Sequence, residues 1–583
     1  MNPPSPEASA GQARFVALLA LAVIAIGALQ LTRSGYSVDE EFTVFAVRGI
    51  VARGIPLLPS GLLYDRGIAY SYASAAASVL TGSELPAFRA ISLLCGVLAI
   101  WLVYRLIAKL STETTGIIAA SLVAISIPFW ATATSGRFYA PFLAAYVATL
   151  FWIRSRLLVV LLLASVCRLT HELAFTLALV PLAAWLVDRE HGRAWVKAAI
   201  AIVAGLVAGQ AVLFAFHFFA PSSGETMVRR FFVWQVLNLF EQPGDRQFLI
   251  PLIVMVIGWL IAPQRPWIVS VVSISLAAMI LAYSIALASN SAPLSGELLR
   301  SVLIAGSRYP LDMFWHMART MPLTLLMALT GLALRVARVG HLRQGSGAQG
   351  GEWRFGERAA HALWIGWVLW FGVIESGITT NYLLLPTAFM LMAIAVDASA
   401  LFQNARVPAL AIVLLIVAFD QWGVRPLDRL EAARPTIRAE GIDEIRAGLQ
   451  PGDRIACTDE LGCLMLVGRI DRWLALDDYV RERFIVQRGD GVSSGVYTGV
   501  PAAFRPANLF DPNPEGTLPD RVVIVDIFKD YPIGNSRAWL PKAIEEDGLR
   551  VTSLLETPQA RVLQVSPPER IVTSRAPANF ARR

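Results

Sequence analysis

Apolar runs long enough to cross a bilayer recur through the first 422 residues, and nothing else restricts the fold so strongly. A helix needs about 20 apolar residues to cross hydrocarbon, where the backbone must satisfy its own hydrogen bonds. Candidate runs fall near 14–31, 89–109, 114–134, 138–153, 157–171, 172–187, 195–219, 247–262, 267–289, 321–337, 359–374, 382–398 and 406–422. That is about thirteen spans by the length criterion. Only 16% of the 583 residues are charged and 56% are hydrophobic, against about 25% charged in soluble globular proteins. The expected class is a polytopic α-helical membrane protein. The first run continues into Thr32-Arg33-Ser34 without a small-x-small cleavage site, so it reads as a retained span.

The character changes near residue 425, where charge and proline become frequent. Short β-like runs appear at 454–457, 521–527 (RVVIVDI) and 560–565 (ARVLQV), with helical patterns at 442–449 and 538–546 between them. Alternating strands and helices predict a soluble α/β domain. The expected organisation is a transmembrane domain over 1–424 and an α/β domain with a disordered tail over 425–583. Four cysteines are too few for a disulfide scaffold. Cys95 and Cys167 lie in apolar stretches and read as small buried hydrophobes. Cys457 and Cys463 admit either a disulfide or two thiols.

Orientation follows from the basic loops. The loops 105–109, 154–156, 188–197 and 335–358 are basic, the last with five Arg, and the positive-inside rule puts them in the cytoplasm. That parity requires residues 68–83 to lie along the interface instead of crossing. The formal charge of +7 then reports orientation, and no nucleic acid is expected. With this parity Asp39, Tyr64, Arg137, His171, Arg308, Glu375 and the α/β domain all emerge on the outer face.

The Asp39-Glu40-Glu41 run follows the first span and opens a probable helix. Acids in a first turn favour the helix dipole, but three in succession exceed a cap. A carboxylate there is suited to take a proton from an acceptor hydroxyl or to hold a divalent ion. Tyr64-Asp65-Arg66-Gly67 reads as a turn, or as a site where Arg66 forks onto a phosphate. Arg137-Phe138-Tyr139 lies between two apolar runs, as an interfacial anchor or a binding pair. His171-Glu172, with Arg168 one turn earlier, places polar side chains inside an apolar stretch, where such residues face a cavity or a partner. No GxGxxG, Walker, HExxH or GxSxG pattern occurs, which removes support for cytosolic nucleotide chemistry.

Taken in order, these pieces resemble the membrane-embedded GT-C glycosyltransferases. The nearest group is family 39, with the protein O-mannosyltransferases and lipid A aminoarabinose transferases. The carriers are VDEEF, YDRGIAYSY, LPAFRAISLLCGVLAIWLVYRL, SGRFYAPF, THELAF and NYLLLP, spread over about the first 400 residues. The resemblance implies an inverting transferase in a bacterial inner membrane. It would move a sugar from a polyprenyl-phosphate donor to a hydroxyl of a glycan, lipid or protein, on the periplasmic face. It maps catalysis onto Asp39, with Glu40 beside it. Tyr64, Asp65, Arg66, Arg137, Tyr139, His171, Glu172 and Tyr382 map onto the donor-phosphate or acceptor pocket. A divalent cation stays open, with Asp39 and His171 as candidate ligands, and membrane lipids are the expected surroundings. Two departures stand out: Arg66-Gly67-Ile68-Ala69 replaces a common Lys/His-Pro-Pro-Leu, and Asn381-Tyr382 replaces Arg-Tyr. The competing readings are a transporter or flippase of a lipid-linked sugar, and a polysaccharide polymerase or ligase with a pyrophosphate-linked donor.

Overall fold

The computed structural model describes, apart from a few short stretches, residues 6–219, 314–341, 360–368, 383–423, 430–476 and 497–567. The expected spans near 247–262 and 267–289, and the tail beyond 567, lie outside them. By contact the chain divides into two units. A helical unit is drawn from 1–33, 65–219 and 225–435, and an α/β unit from 34–64, 220–224 and 436–583.

In chain order the helices are α1 (Pro6–Leu31), α2 (Glu40–Arg53), α3 (Ile68–Thr81), α4 (Leu85–Leu110), α5 (Glu113–Ala124), α6 (Ile127–Ala133), α7 (Tyr139–Trp152), α8 (Leu157–Thr170), α9 (Leu179–Val187), α10 (Gly192–Phe219), α11 (Pro322–His341), α12 (Leu384–Leu401), α13 (Arg406–Trp422), α14 (Ile442–Ala447), α15 (Glu460–Val467) and α16 (Ser536–Glu546). Among the described residues four helices are long and apolar enough to span a membrane: Arg14–Leu31, Leu85–Leu110, Gly192–Phe216 and Leu384–Leu401. The bent pair α5–α6 makes a fifth candidate. The protein is a polytopic helical membrane protein. Helix α3, at 14 residues, rises about 21 Å, less than the roughly 30 Å of a hydrocarbon core.

One expected span is bent. The run 114–134 breaks into α5 and α6 at an angle of 66°. Pro128 lacks an amide proton and disfavours helix at the residue before it, so the chain turns at Ser126-Ile127. Broken backbone at membrane depth survives only where protein satisfies it. Here Ser126 Oγ donates to the Val123 carbonyl (2.9 Å), and the Ile127 amide donates to Gln421 Oε1 (3.2 Å). Trp422 Nε1 donates to the Ile125 carbonyl. The neighbouring Asp420 accepts from the amides of Leu323 (3.1 Å) and Thr324 (2.8 Å) and from the Thr324 hydroxyl (2.6 Å), at the start of α11. Three consecutive side chains at the end of α13 thus close two helix breaks.

The α/β unit carries a six-stranded sheet in the order β5-β4-β3-β6-β10-β9. Its strands are β3 (Asp453–Cys457), β4 (Arg472–Leu474), β5 (Ala502–Ala503), β6 (Arg521–Ile527), β9 (Arg550–Glu556) and β10 (Ala560–Ser566). β3 runs parallel to β4 and β6, and β10 runs antiparallel to β6 and β9. The short β7 (Asp530–Tyr531) and β8 (Gly534–Asn535) form a hairpin. Val522 to Val525 are all buried, which fits a central strand covered on both faces. Ala456, Leu474, Ile524, Leu540, Ile544 and Leu563 build the core between sheet and helices. Cys457 and Cys463 are disulfide-bonded, with Cα atoms 6.0 Å apart. The loop after α1 also belongs to this unit, because β1 (Tyr36–Ser37) pairs antiparallel with β2 (Thr436–Ile437).

Candidate active site

The acidic run lies in the α/β unit. Asp39 stands at the N-cap of α2 with φ 77°, and its side chain makes no cap hydrogen bond. Among the described residues it is the one non-glycine in the left-handed region. That conformation costs about 1–2 kcal/mol in an L-residue and is held where the surroundings over-determine it. Glu40 and Glu41, in the first turn of α2, are buried. The run is therefore no simple cap: one acid sits on a left-handed turn and the other two are buried. Tyr64 is buried in the same unit and stacks on Phe42, with ring centroids 5.9 Å apart.

The helical unit gathers three other expected stretches. Gly67, at φ 68°, packs so closely on Phe138 that an added Cβ would fall 2.5 Å from its ring. The His171 ring meets three aromatic rings, Phe138 at 5.2 Å, Tyr139 at 5.8 Å and Phe142 at 5.1 Å. The Arg137 guanidinium lies 4.7 Å over Phe138 and 5.9 Å from the Tyr139 ring. Asp65, Arg66, Arg137, Tyr139 and His171 are all buried.

Local structure explains each placement. The Arg137 carbonyl accepts from Ser92 Oγ (2.9 Å), which bonds to the Tyr70 hydroxyl (2.9 Å). Tyr70 in turn donates to the Phe88 carbonyl (2.8 Å). This chain of hydrogen bonds ties α3 and α4 to the turn before α7. His171 ends α8 in extended conformation and caps the 3₁₀ turn Glu172–Ala178, its Nδ1 accepting from the Leu173 amide at 3.2 Å. With Nδ1 an acceptor, the neutral ring carries its proton on Nε2. The boundary between α8 and the 3₁₀ turn falls at 171, where the two expected runs meet.

The side chains of Glu172 and Tyr382, together with Arg308 and Glu375, lie outside the described residues. Arg168 is turned to α10, its Nε donating to Gln210 Oε1 at 2.9 Å with its guanidinium 5.0 Å from the Phe175 ring. Among the described residues no group of three or more His, Cys, Asp or Glu side chains makes a metal-ligand set, and Asp39 and His171 belong to different units. Tyr70 and Ser92 were not singled out from sequence. They read as ordinary helix residues, and only the fold brings them beneath Arg137.

No protein-family model matches the chain, and no curated protein sequence matches it. Solved structures do. ArnT from Cupriavidus metallidurans bound to undecaprenyl phosphate is 13% identical over 94% of this chain and 97% of that chain, with a TM-score of 0.45. The Archaeoglobus fulgidus oligosaccharyltransferase in complex with Zn and sulfate is 13% identical over 88% and 68%, with a TM-score of 0.47. The same enzyme tethered to an acceptor peptide is 12% identical over 88% and 69%, with a TM-score of 0.46. At these levels the likeness carries no argument, and the function must be read from the residues.

Proposed function

We propose that the chain is a GT-C glycosyltransferase. It transfers a sugar from a polyprenyl-phosphate donor to an acceptor hydroxyl at the outer face of an inner membrane. The observation that carries this reading is the buried Arg137, stacked on Phe138 and Tyr139 beside His171 and Gly67. A planar guanidinium held beside aromatic rings suits bidentate recognition of phosphate oxygens. The Cys457–Cys463 disulfide supports an oxidising compartment for the α/β unit.

In this reading the acceptor oxygen attacks the anomeric carbon as the bond from that carbon to the phosphate oxygen breaks. Asp39 takes the hydroxyl proton, the electron pair leaves on the phosphate, and the anomeric centre inverts. The leaving phosphate gains charge, which Arg66 and Arg137 stabilise. His171, with its proton on Nε2, is a donor to the phosphate or acceptor, and Tyr139 packs against its ring.

Asp39→Asn tests it, because Asn tolerates the left-handed backbone and removes only the carboxylate. The full chain in detergent is given a panel of radiolabelled undecaprenyl-phosphate monosaccharides, with envelope extract as acceptor source. Wild type should transfer label, and Asp39→Asn should lose about 10³-fold of the rate, within the range of general-base catalysis, while still binding undecaprenyl phosphate. No transfer by wild type across the panel, or transfer retained by the variant, overturns the reading.

A further inference from the structure

The acidic turn is flanked by two residues that a single short loop of the α/β domain reaches from both sides. Before the turn stands Tyr36, on a strand whose pairing with β2 is only two residues long. Its buried hydroxyl donates to the Gly462 carbonyl at 3.0 Å. The packing at Gly462 is close, since an added Cβ would fall 3.0 Å from both the Tyr36 hydroxyl and Ile527 Cδ1. After the turn stands Phe42, whose ring meets Tyr497 edge-on at 5.0 Å.

Tyr497 is itself held by Glu460. One buried carboxylate oxygen, Oε2, accepts from the Tyr497 amide (3.0 Å), the Thr498 amide (2.9 Å) and the Thr498 hydroxyl (2.9 Å). The Tyr497 carbonyl accepts from the Ser60 amide at 3.0 Å. Gly462 and Glu460 both lie inside the loop closed by Cys457–Cys463, and Asp459 Oδ1 accepts from the Gly462 amide at 3.0 Å.

We infer that the disulfide-closed loop 457–463 is a positioning device for the catalytic acid, gripping the Asp39 turn through Tyr36 on one flank and through Glu460, Tyr497 and Phe42 on the other. Tyr36, Glu460 and the disulfide touch no reacting atom; they act by fixing where Asp39 points. Burial first, then the nearby Glu41 and Asp459 carboxylates, push the Tyr36 phenol well above its usual value of 10.0. It therefore remains a hydrogen-bond donor throughout the working pH range. The left-handed backbone of Asp39 at φ 77° is the conformation this grip holds.

This inference rests on the assignment of Asp39 as the base, so its test includes a readout independent of turnover. Tyr36→Phe removes one hydroxyl and little volume; Cys457→Ala with Cys463→Ala opens the loop. Hydrogen–deuterium exchange of the full chain in detergent should rise about tenfold across peptides covering 36–48 in both variants, the signature of a loosened local unit. In Tyr36→Phe the melting temperature should stay unchanged. In the transfer assay kcat should fall about tenfold with the donor KM changed less than about threefold, since misplacing the base affects the transition state and not ground-state binding. Unchanged exchange at 36–48 in Tyr36→Phe overturns the tether. So does a variant that loosens the turn but keeps wild-type kcat while Asp39→Asn has lost it. If Asp39→Asn retains activity, the base assignment fails instead, and the exchange data still decide the tether.

Discussion

The two units hold arginine in different ways. In the α/β unit Arg521 forks onto Asp453, Nε to Oδ1 at 2.6 Å, and Arg561 holds Asp526 at 2.9 Å. In the helical unit Arg137 lies over the Phe138 and Tyr139 rings, Arg168 grips the Gln210 amide, and Arg89 donates to the Leu31 carbonyl at 3.3 Å. A fork on a carboxylate occupies the in-plane donors, whereas a stack on a ring engages the face. The first arrangement cross-braces strands, and under the proposed function the second sets a cation beside the donor phosphate. Substitutions should therefore damage stability in one unit and chemistry in the other.

Arg137→Lys is the sharpest challenge to that distinction. Lysine keeps the charge but loses the planar fork and the stack. If Arg137 presents its edge to the donor phosphate, kcat should fall about 100-fold, the scale of one lost transition-state donor, with little change in melting temperature. A variant that melts early at near-normal kcat would instead make Arg137 a brace like Arg521.

Asp420→Ala reverses the expectation, since this acid of the helical unit serves structure. It accepts three hydrogen bonds at the start of α11, and its loss should cost about 2 kcal/mol, the range for stranding buried donors. Denaturation in detergent would register this as a lower midpoint, with kcat of the folded fraction preserved. A kcat loss at unchanged midpoint would move Asp420 into the chemistry.

Legibility differs between the units as well. Hydropathy located α4, α10, α12 and α13, because long apolar helices leave a signal that averaging preserves. It missed the 66° break at Ser126-Ile127, because averaging over about 20 residues hides one proline and one serine. In the α/β unit RVVIVDI was legible as β6, since a strand buried on both faces is a continuous apolar run. The edge strand β9 was not, being mostly exposed and without alternation. Asp39 was conspicuous in sequence, but its grip was not: Tyr36 and Gly462 are 426 residues apart, and no local pattern encodes a pairing over that distance. The meeting of Gly67, Phe138 and His171 was suggested only by the order of the pieces.

The smallest expected effect separates two acids within the α/β unit. Burial raises the Asp453 carboxyl, but hydrogen bonds from Arg521 and the Gln450 amide outweigh it and hold the group below its usual 3.8. A carboxyl depressed by folding adds stability that is present above its unfolded value and is lost as pH falls through the folded value. Asp526 has the opposite sign. Burial raises it despite Arg561, Ser536 and Thr458, so the folded state binds its proton before the unfolded one does. Its contribution therefore improves as pH falls from neutrality through the raised value. Melting temperatures from pH 7 to 3 should show Asp453→Asn flattening the decline below about pH 4, by roughly 2 °C on the scale of a fraction of a kcal/mol. Asp526→Asn should leave that acid decline in place and remove a gentle rise at higher pH. Identical pH curves for the two variants would mean that Arg521 and Arg561 do not set these two carboxyls apart.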